Sequence, residues 1–237
     1  MDLGIKGKRA IILGASKGIG FASASALAAE GVDVVLSGSS MERAEAAAAK
    51  ITDGKVVPMV GDVSNPDNMN TLYEDAKKAL GGPIDILFNN PGGPAVGAAL
   101  DLDEAELISE FNKMVVSIIR LTGLCVPDMI AQKWGRIIAV GSSGVVQPIP
   151  NMVLSNTLRA STVYYMKTLA NEVIKDGVTV NIVSPTQVLT DRTRSSAAIK
   201  AEKAGISAEE FLANQEKGLP AKRFGDTKEF GGLVAIL

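Results

Sequence analysis

The sequence predicts one α/β domain, a doubly wound parallel sheet with helices on both faces, and three observations carry that prediction. Six short runs rich in β-branched and aliphatic residues recur along the 237 residues, longer helical stretches separate them, and a glycine cluster joins the first run to the first helix. Parallel strands need a crossover between them, so strand and helix must alternate.

In order, strands are expected at residues 9–13, 33–37, 55–60, 84–88, 136–140 and 178–183. An Ala-rich helix over 18–30 is stopped by Gly31, a second covers 41–51, and a third over 68–80 is closed by Gly81-Gly82-Pro83. Two longer helices, 103–132 and 154–175, carry enough apolar content to face both the sheet and a partner subunit, and a last helix spans 227–237. No repeat or linker divides residues 1–237, which read as a single domain.

Composition narrows the function classes. There is no histidine, so imidazole chemistry and Ser-His or Cys-His nucleophile pairs are excluded, and the single Cys125 excludes an internal disulfide. A net charge of −2 without a basic run gives no footprint for nucleic acid or an anionic membrane. No apolar h-region follows the N-terminus and no uninterrupted apolar run reaches membrane-spanning length, so a cytoplasmic protein with a small-molecule ligand is expected.

The chemistry begins at Gly14-Ala15-Ser16-Lys17-Gly18-Ile19-Gly20, directly after the first strand and leading into a helix. Glycines there allow a tight turn and close approach of a pyrophosphate, while the helix N-terminus offers free N–H groups to the anion. Four further segments follow the third to sixth strands in turn: Asp62-Val63, Asn89-Asn90-Pro91-Gly92, Gly141-Ser142-Ser143, and Pro185-Thr186 with Thr190. In this order and spacing the chain resembles the short-chain dehydrogenase/reductase family, a Rossmann-type family, along nearly its whole length. Leu13 stands where that family usually has Thr.

The resemblance implies a single dinucleotide-binding domain over 1–237 with a substrate lid at about 190–219, and a nicotinamide dinucleotide held by Gly14, Ser16, Lys17, Gly18, Ile19 and Gly20. It also implies Asp62 and Val63 at the adenine, Asn90 and Gly92 beside the adenosine ribose, and Pro185, Val188 and Thr190 toward the nicotinamide amide. Asp62 has a second reading as a turn-capping aspartate, since Gly-Asp-Val-Ser-Asn-Pro is also good turn chemistry. The second strand ends in Ser37-Gly38-Ser39-Ser40 with no acid to bind a ribose 2′-OH. With Ser39, Lys17 and Arg43 nearby, NADP is expected in preference to NAD, which remains the alternative.

The catalytic pattern departs from that family. The family's Asn, Ser and Tyr-x-x-x-Lys fall here on Met114, Ser142, Ser155 and Arg159, so only the serine at 142 is kept. A serine hydroxyl is too weak an acid to replace a phenol of pKa near 10, and a guanidinium does not release its proton. Ser142, Ser155 and Arg159 can still present donors to a developing alkoxide, and Arg159 also offers a fork to a substrate carboxylate. Tyr164 and Tyr165 read as core or interface aromatics.

Two functions therefore stand side by side. One is an NADP-dependent oxidoreductase on a carbonyl or alcohol, similar to a divergent 3-oxoacyl-acyl-carrier-protein reductase subgroup; the other is a dinucleotide-binding regulator or oligomer partner without turnover. A homotetramer or homodimer is expected from the two long helices and the uncharged stretch 115–119. The family normally adds a seventh strand after the final helix, so the natural chain is expected to be longer by about one strand of roughly five to six residues.

Overall fold

The structure, a computed structural model, describes residues 2–237. Six parallel strands, β1 (Arg9–Ile12), β2 (Asp33–Gly38), β3 (Val56–Val60), β4 (Ile86–Asn89), β5 (Gly135–Val140) and β6 (Val178–Val183), form one sheet in the order β3-β2-β1-β4-β5-β6. The registers are regular, from Ile11 opposite Val35 and Leu87 to Ile137 opposite Val180. Chain order reverses between β1 and β4, and the crevice at such a switch point is where this architecture places ligands.

Nine α-helices complete the fold among the described residues. They are α1 (Gly18–Ala29), α2 (Met41–Ala48), α3 (Asn68–Leu80), α4 (Glu104–Phe111), α5 (Ser117–Ala131), α6 (Val153–Val173), α7 (Asp191–Ala204), α8 (Ala208–Gly218) and α9 (Thr227–Ile236). Because side chains alternate across a strand, β1 feeds two cores. Ala10 and Ile12 pack with Leu27 of α1, Ala44 of α2 and Phe230 of α9; Ile11 and Leu13 pack with Leu72 of α3, Ile118 of α5 and Met166 of α6. Burial on both faces explains why the strands read as continuous apolar runs.

The helix expected at 103–132 is one continuous rod interrupted by a π turn at Asn112–Val116, whose Met114 is fully buried. Over Glu104–Ala131 this rod is long and apolar enough to cross a membrane by length and composition, which the absence of an uninterrupted apolar run did not anticipate. Its apolar stripe is spent inside the fold: Met114, Val115, Ile118, Leu121, Cys125 and Met129 are buried, and Thr122 Oγ1 accepts the side-chain N–H of Asn89 at 3.1 Å. The Val115–Ile119 stretch consequently points mostly inward, leaving Ile108, Phe111 and Ile119 as the exposed apolar side chains of this rod.

At the opposite end of the sheet from the crevice, the only tryptophan, Trp134, lies between two cations. Lys8 Nζ sits 4.0 Å and the Arg136 guanidinium 4.5 Å from its ring centroid. Beside it Asp85, fully buried, accepts the backbone N–H and the Nε–H of Arg9, each at 2.9 Å.

Candidate functional site

A cavity of about 700 Å³ opens over the carboxyl ends of β1, β4, β5 and β6. It collects Gly14, Lys17, Gly18, Ile19, Asn90, Gly92, Ser142, Ser155, Arg159, Pro185, Val188 and Thr190 from segments far apart in sequence. Ser16, Gly20, Ser39, Asp62 and Val63 do not line it.

The glycine turn is built for close approach. A Cβ on Gly14, whose φ is +61°, would strike the backbone carbonyl of Asn90, and one on Gly20 would strike that of Gly14. Asn90 locks this turn by donating its side-chain N–H to the Gly14 carbonyl at 3.2 Å. Lys17 is the N-cap of α1 and makes no side-chain cap bond, so the first-turn N–H groups beside Gly18 and Ile19 face the cavity without an intrahelical partner. Unpartnered N–H groups at a helix start fit a pyrophosphate. Ser16 packs against Gly38 at the end of β2, and Ser39 is exposed next to it. No acidic side chain follows β2 before Glu42.

Asp62 takes the turn-forming role, its carboxylate accepting the Ser64 N–H at 3.0 Å. The neighbouring backbone is also engaged: Asn68 Nδ2 donates to the Asp62 carbonyl and Ser117 Oγ donates to the Val63 carbonyl, at 3.1 and 2.7 Å. Thr190 caps α7, its hydroxyl accepting the Thr193 N–H at 3.2 Å. Val188 is held by a parallel bridge to Gly225, which fixes the 185–190 segment along the cavity wall.

At the other side of the cavity stand the two hydroxyls. Ser142 Oγ accepts the Gly144 N–H at 3.0 Å, capping a short 3₁₀ turn, so its own proton remains available to the cavity. Ser155, on the first turn of α6, is buried and makes no side-chain hydrogen bond among the described residues. Arg159, one turn further on and only 7% exposed, donates to the carbonyls of Val140 and Gly92, the former at 2.6 Å. Two branches of its fork thus tie the end of β5 to the loop after β4. Tyr164 is exposed beside Lys167, and Tyr165 is half-buried against the second core, so neither phenol reaches the site.

The sequence alone did not single out Arg192 and Lys200 of α7, both of which line the cavity. Arg192 donates to the carbonyls of Gly93 and Pro94 at 2.8 and 2.9 Å, tying α7 to the loop after β4. Residues 190–219 carry five cations and five acids, so composition did not mark these two out.

Known proteins resemble this chain along nearly its whole length. The short chain dehydrogenase family model matches residues 8–200. The 3-oxoacyl-[acyl-carrier-protein] reductase of Haemophilus influenzae is 32% identical over 233 residues, covering 98% of this chain and 91% of its own. The Escherichia coli enzyme of the same name is 32% identical over 238 residues, covering 99% and 91%. Among solved structures, L-sorbose reductase from Gluconobacter frateurii, complexed with NADPH and L-sorbose, superposes with a TM-score of 0.94 at 31% identity, covering 100% of this chain and 91% of that one.

Proposed function

The chain belongs to the short chain dehydrogenase family, and from that premise we propose that it is an oxidoreductase transferring hydride between NADP and a carbonyl or alcohol substrate. One observation carries the reading: a single cavity joins the uncapped N-terminus of α1, at the glycine turn, to the hydroxyls of Ser142 and Ser155. Bound there, the dinucleotide would supply the hydride-carrying nicotinamide.

The chain's own residues supply position and charge. The N–H groups of Gly18, Ile19 and Gly20 hold the pyrophosphate, Lys17 with Ser39 and Arg43 receives a 2′-phosphate, and Asn90 keeps the turn open. Pro185, Val188 and Thr190 orient the nicotinamide end. Ser142, already accepting from Gly144, donates a hydrogen bond to the substrate oxygen, and Ser155 donates beside it. Arg159 supplies fixed positive charge near the oxygen that becomes an alkoxide. Without a phenol, water supplies the proton, and loss of general acid catalysis costs on the order of 10²–10⁴ in rate.

The test is titration with NADPH and NADH, followed by consumption of NADPH against 3-oxoacyl thioesters, diketones and oxoacids. NADPH is expected to bind more tightly than NADH, and Lys17→Ala to narrow the gap; equal affinities in the unmodified chain would overturn the cofactor assignment. The serine in place of the tyrosine favours a second reading, dinucleotide binding without turnover. Tight NADPH binding with no consumption across the panel would put that reading in its place.

A further inference from the structure

Resting on the oxidoreductase reading, we propose that the substrate carries a carboxylate, received by Arg159 and Arg192 where both reach the loop after β4. The charge balance of the cavity is the first observation. Its lining holds four cations, Lys17, Arg159, Arg192 and Lys200, against one carboxylate, Asp191. None of the four makes an ion pair among the described residues, whose salt bridges all lie elsewhere.

Arg159 is the second. A guanidinium more than nine-tenths buried normally has a carboxylate beside it, because a desolvated charge needs a counter-charge. Here its partners are two neutral carbonyls, of Val140 and Gly92, and a guanidinium has five N–H donors, so part of the fork remains unspent. The nearest charged influence is another cation. Arg192 reaches the same loop from α7, so the successive carbonyls of Gly92, Gly93 and Pro94 are held by two guanidiniums, one from α6 and one from the lid. Burial first, and the Arg192 charge second, push the Arg159 guanidinium down to about 10. An anion between the two would offset both effects.

Phosphates of the dinucleotide are the competing anion; topology sets Arg159 apart from them, whereas Arg192 follows Thr190, whose methyl group packs toward Gly18 of the glycine turn. The phosphates belong at the turn after β1, whereas Arg159 is anchored at the end of β5 and on the loop after β4. With β4 lying between β1 and β5, the end of β5, where Arg159 meets the Val140 carbonyl, is about 10 Å from the end of β1, while its Gly92 anchor is one strand nearer. Arg159 stands one helical turn from Ser155 and bonds the end of β5 just before Ser142, where a substrate would react. A planar carboxylate matches the guanidinium fork, and a short oxoacid would present its ketone to the hydroxyls while its acid end meets the arginines.

The probes are 4-oxopentanoate and its methyl ester, which share the ketone and differ in charge, titrated calorimetrically into the chain with and without saturating NADPH. The acid is expected to bind tighter than the ester by about tenfold or more, with and without NADPH, and Arg192→Gln to remove most of that difference. Equal affinities for acid and ester overturn the proposal. So does a preference that vanishes once NADPH is bound, since the arginines would then serve cofactor phosphates. Arg159→Gln risks the fold, because it unties two loops; Arg192 is exposed on the lid, so its variant keeps the test decisive. A chain that fails to bind NADPH overturns the oxidoreductase reading instead, and the comparison without cofactor still decides the anion site.

Discussion

Replacing Ser142 with alanine separates a turn-capping hydroxyl from a catalytic one. In the structure Ser142 Oγ accepts the Gly144 N–H at 3.0 Å, and removing a cap of this kind costs about 1 kcal/mol. For a chain of 237 residues that corresponds to a fall in Tm of about 2–4 °C, which leaves the protein almost wholly folded at assay temperature. If the hydroxyl also donates to the developing alkoxide, its loss removes a preorganised donor worth about 10²–10³ in kcat. The two effects differ so much in scale that instability cannot imitate the second. Differential scanning calorimetry gives the first number and single-turnover oxidation of bound NADPH gives the second. NADPH affinity should stay unchanged, and Ser142→Thr should recover both quantities wherever the extra methyl fits. A variant with the small loss of Tm but a turnover rate within about threefold of the parent would make Ser142 a turn residue and nothing more.

Further outcomes follow from other parts of the molecule. Asp85→Ala strips a buried partner from the backbone N–H and Nε–H of Arg9, so a loss of about 3 kcal/mol and a Tm lower by on the order of 10 °C are expected; a shift under about 3 °C would sink the argument. The Asp128 carboxyl is held below its ordinary value by the hydrogen bond from Tyr73 at 2.6 Å and by Lys77 at 2.9 Å. A depressed carboxyl stabilises the fold above its unfolded pKa of roughly 3.9 and ceases to do so as pH falls through the lower folded value. The Tm gap between the parent and Asp128→Asn should therefore be steady from about pH 7 to 5, small because the pair is partly exposed, and should close in stronger acid; a constant gap down to pH 2 would refute the assignment. Sedimentation is expected to show a dimer or tetramer, since Ile108, Phe111 and Ile119 on α4 and α5 and Tyr164 on α6 stand exposed, and a monomer at micromolar concentration would contradict this.

Much of this architecture is written in the sequence in a form that chemistry can read. All six strands appear as apolar runs because a parallel sheet is covered on both faces, and the glycine turn appears because close backbone approach excludes a Cβ. What escapes has physical reasons. Helices α7 and α8 bury little, only Ala197 and Ala201 in α7 and no residue in α8, so no apolar periodicity marks them. The π turn inserts backbone register without any residue signature. Arg159 and Arg192 spend donors on carbonyl oxygens, which every residue possesses, so their partners could not be guessed from side-chain types. Asp62 is a type of residue that serves both a turn and a ligand, and only the folded chain reveals its bond to Ser64.

Trp134 gives the molecule a single optical reporter, and its place decides what that reporter can see. It precedes β5, while the cavity begins where β5 ends at Gly141 and Ser142, and the six residues between, Gly135–Val140, span about 20 Å of extended chain. A bound dinucleotide therefore cannot quench the indole by contact. Any dimming on titration would have to travel as energy transfer along the length of the sheet, whereas loss of the Lys8 and Arg136 cations from its ring would register as the far end of the sheet coming apart. Emission from this one residue thus keeps ligand occupancy and unfolding on separate channels, with excitation transfer reporting the first and a shift in the indole's own spectrum reporting the second.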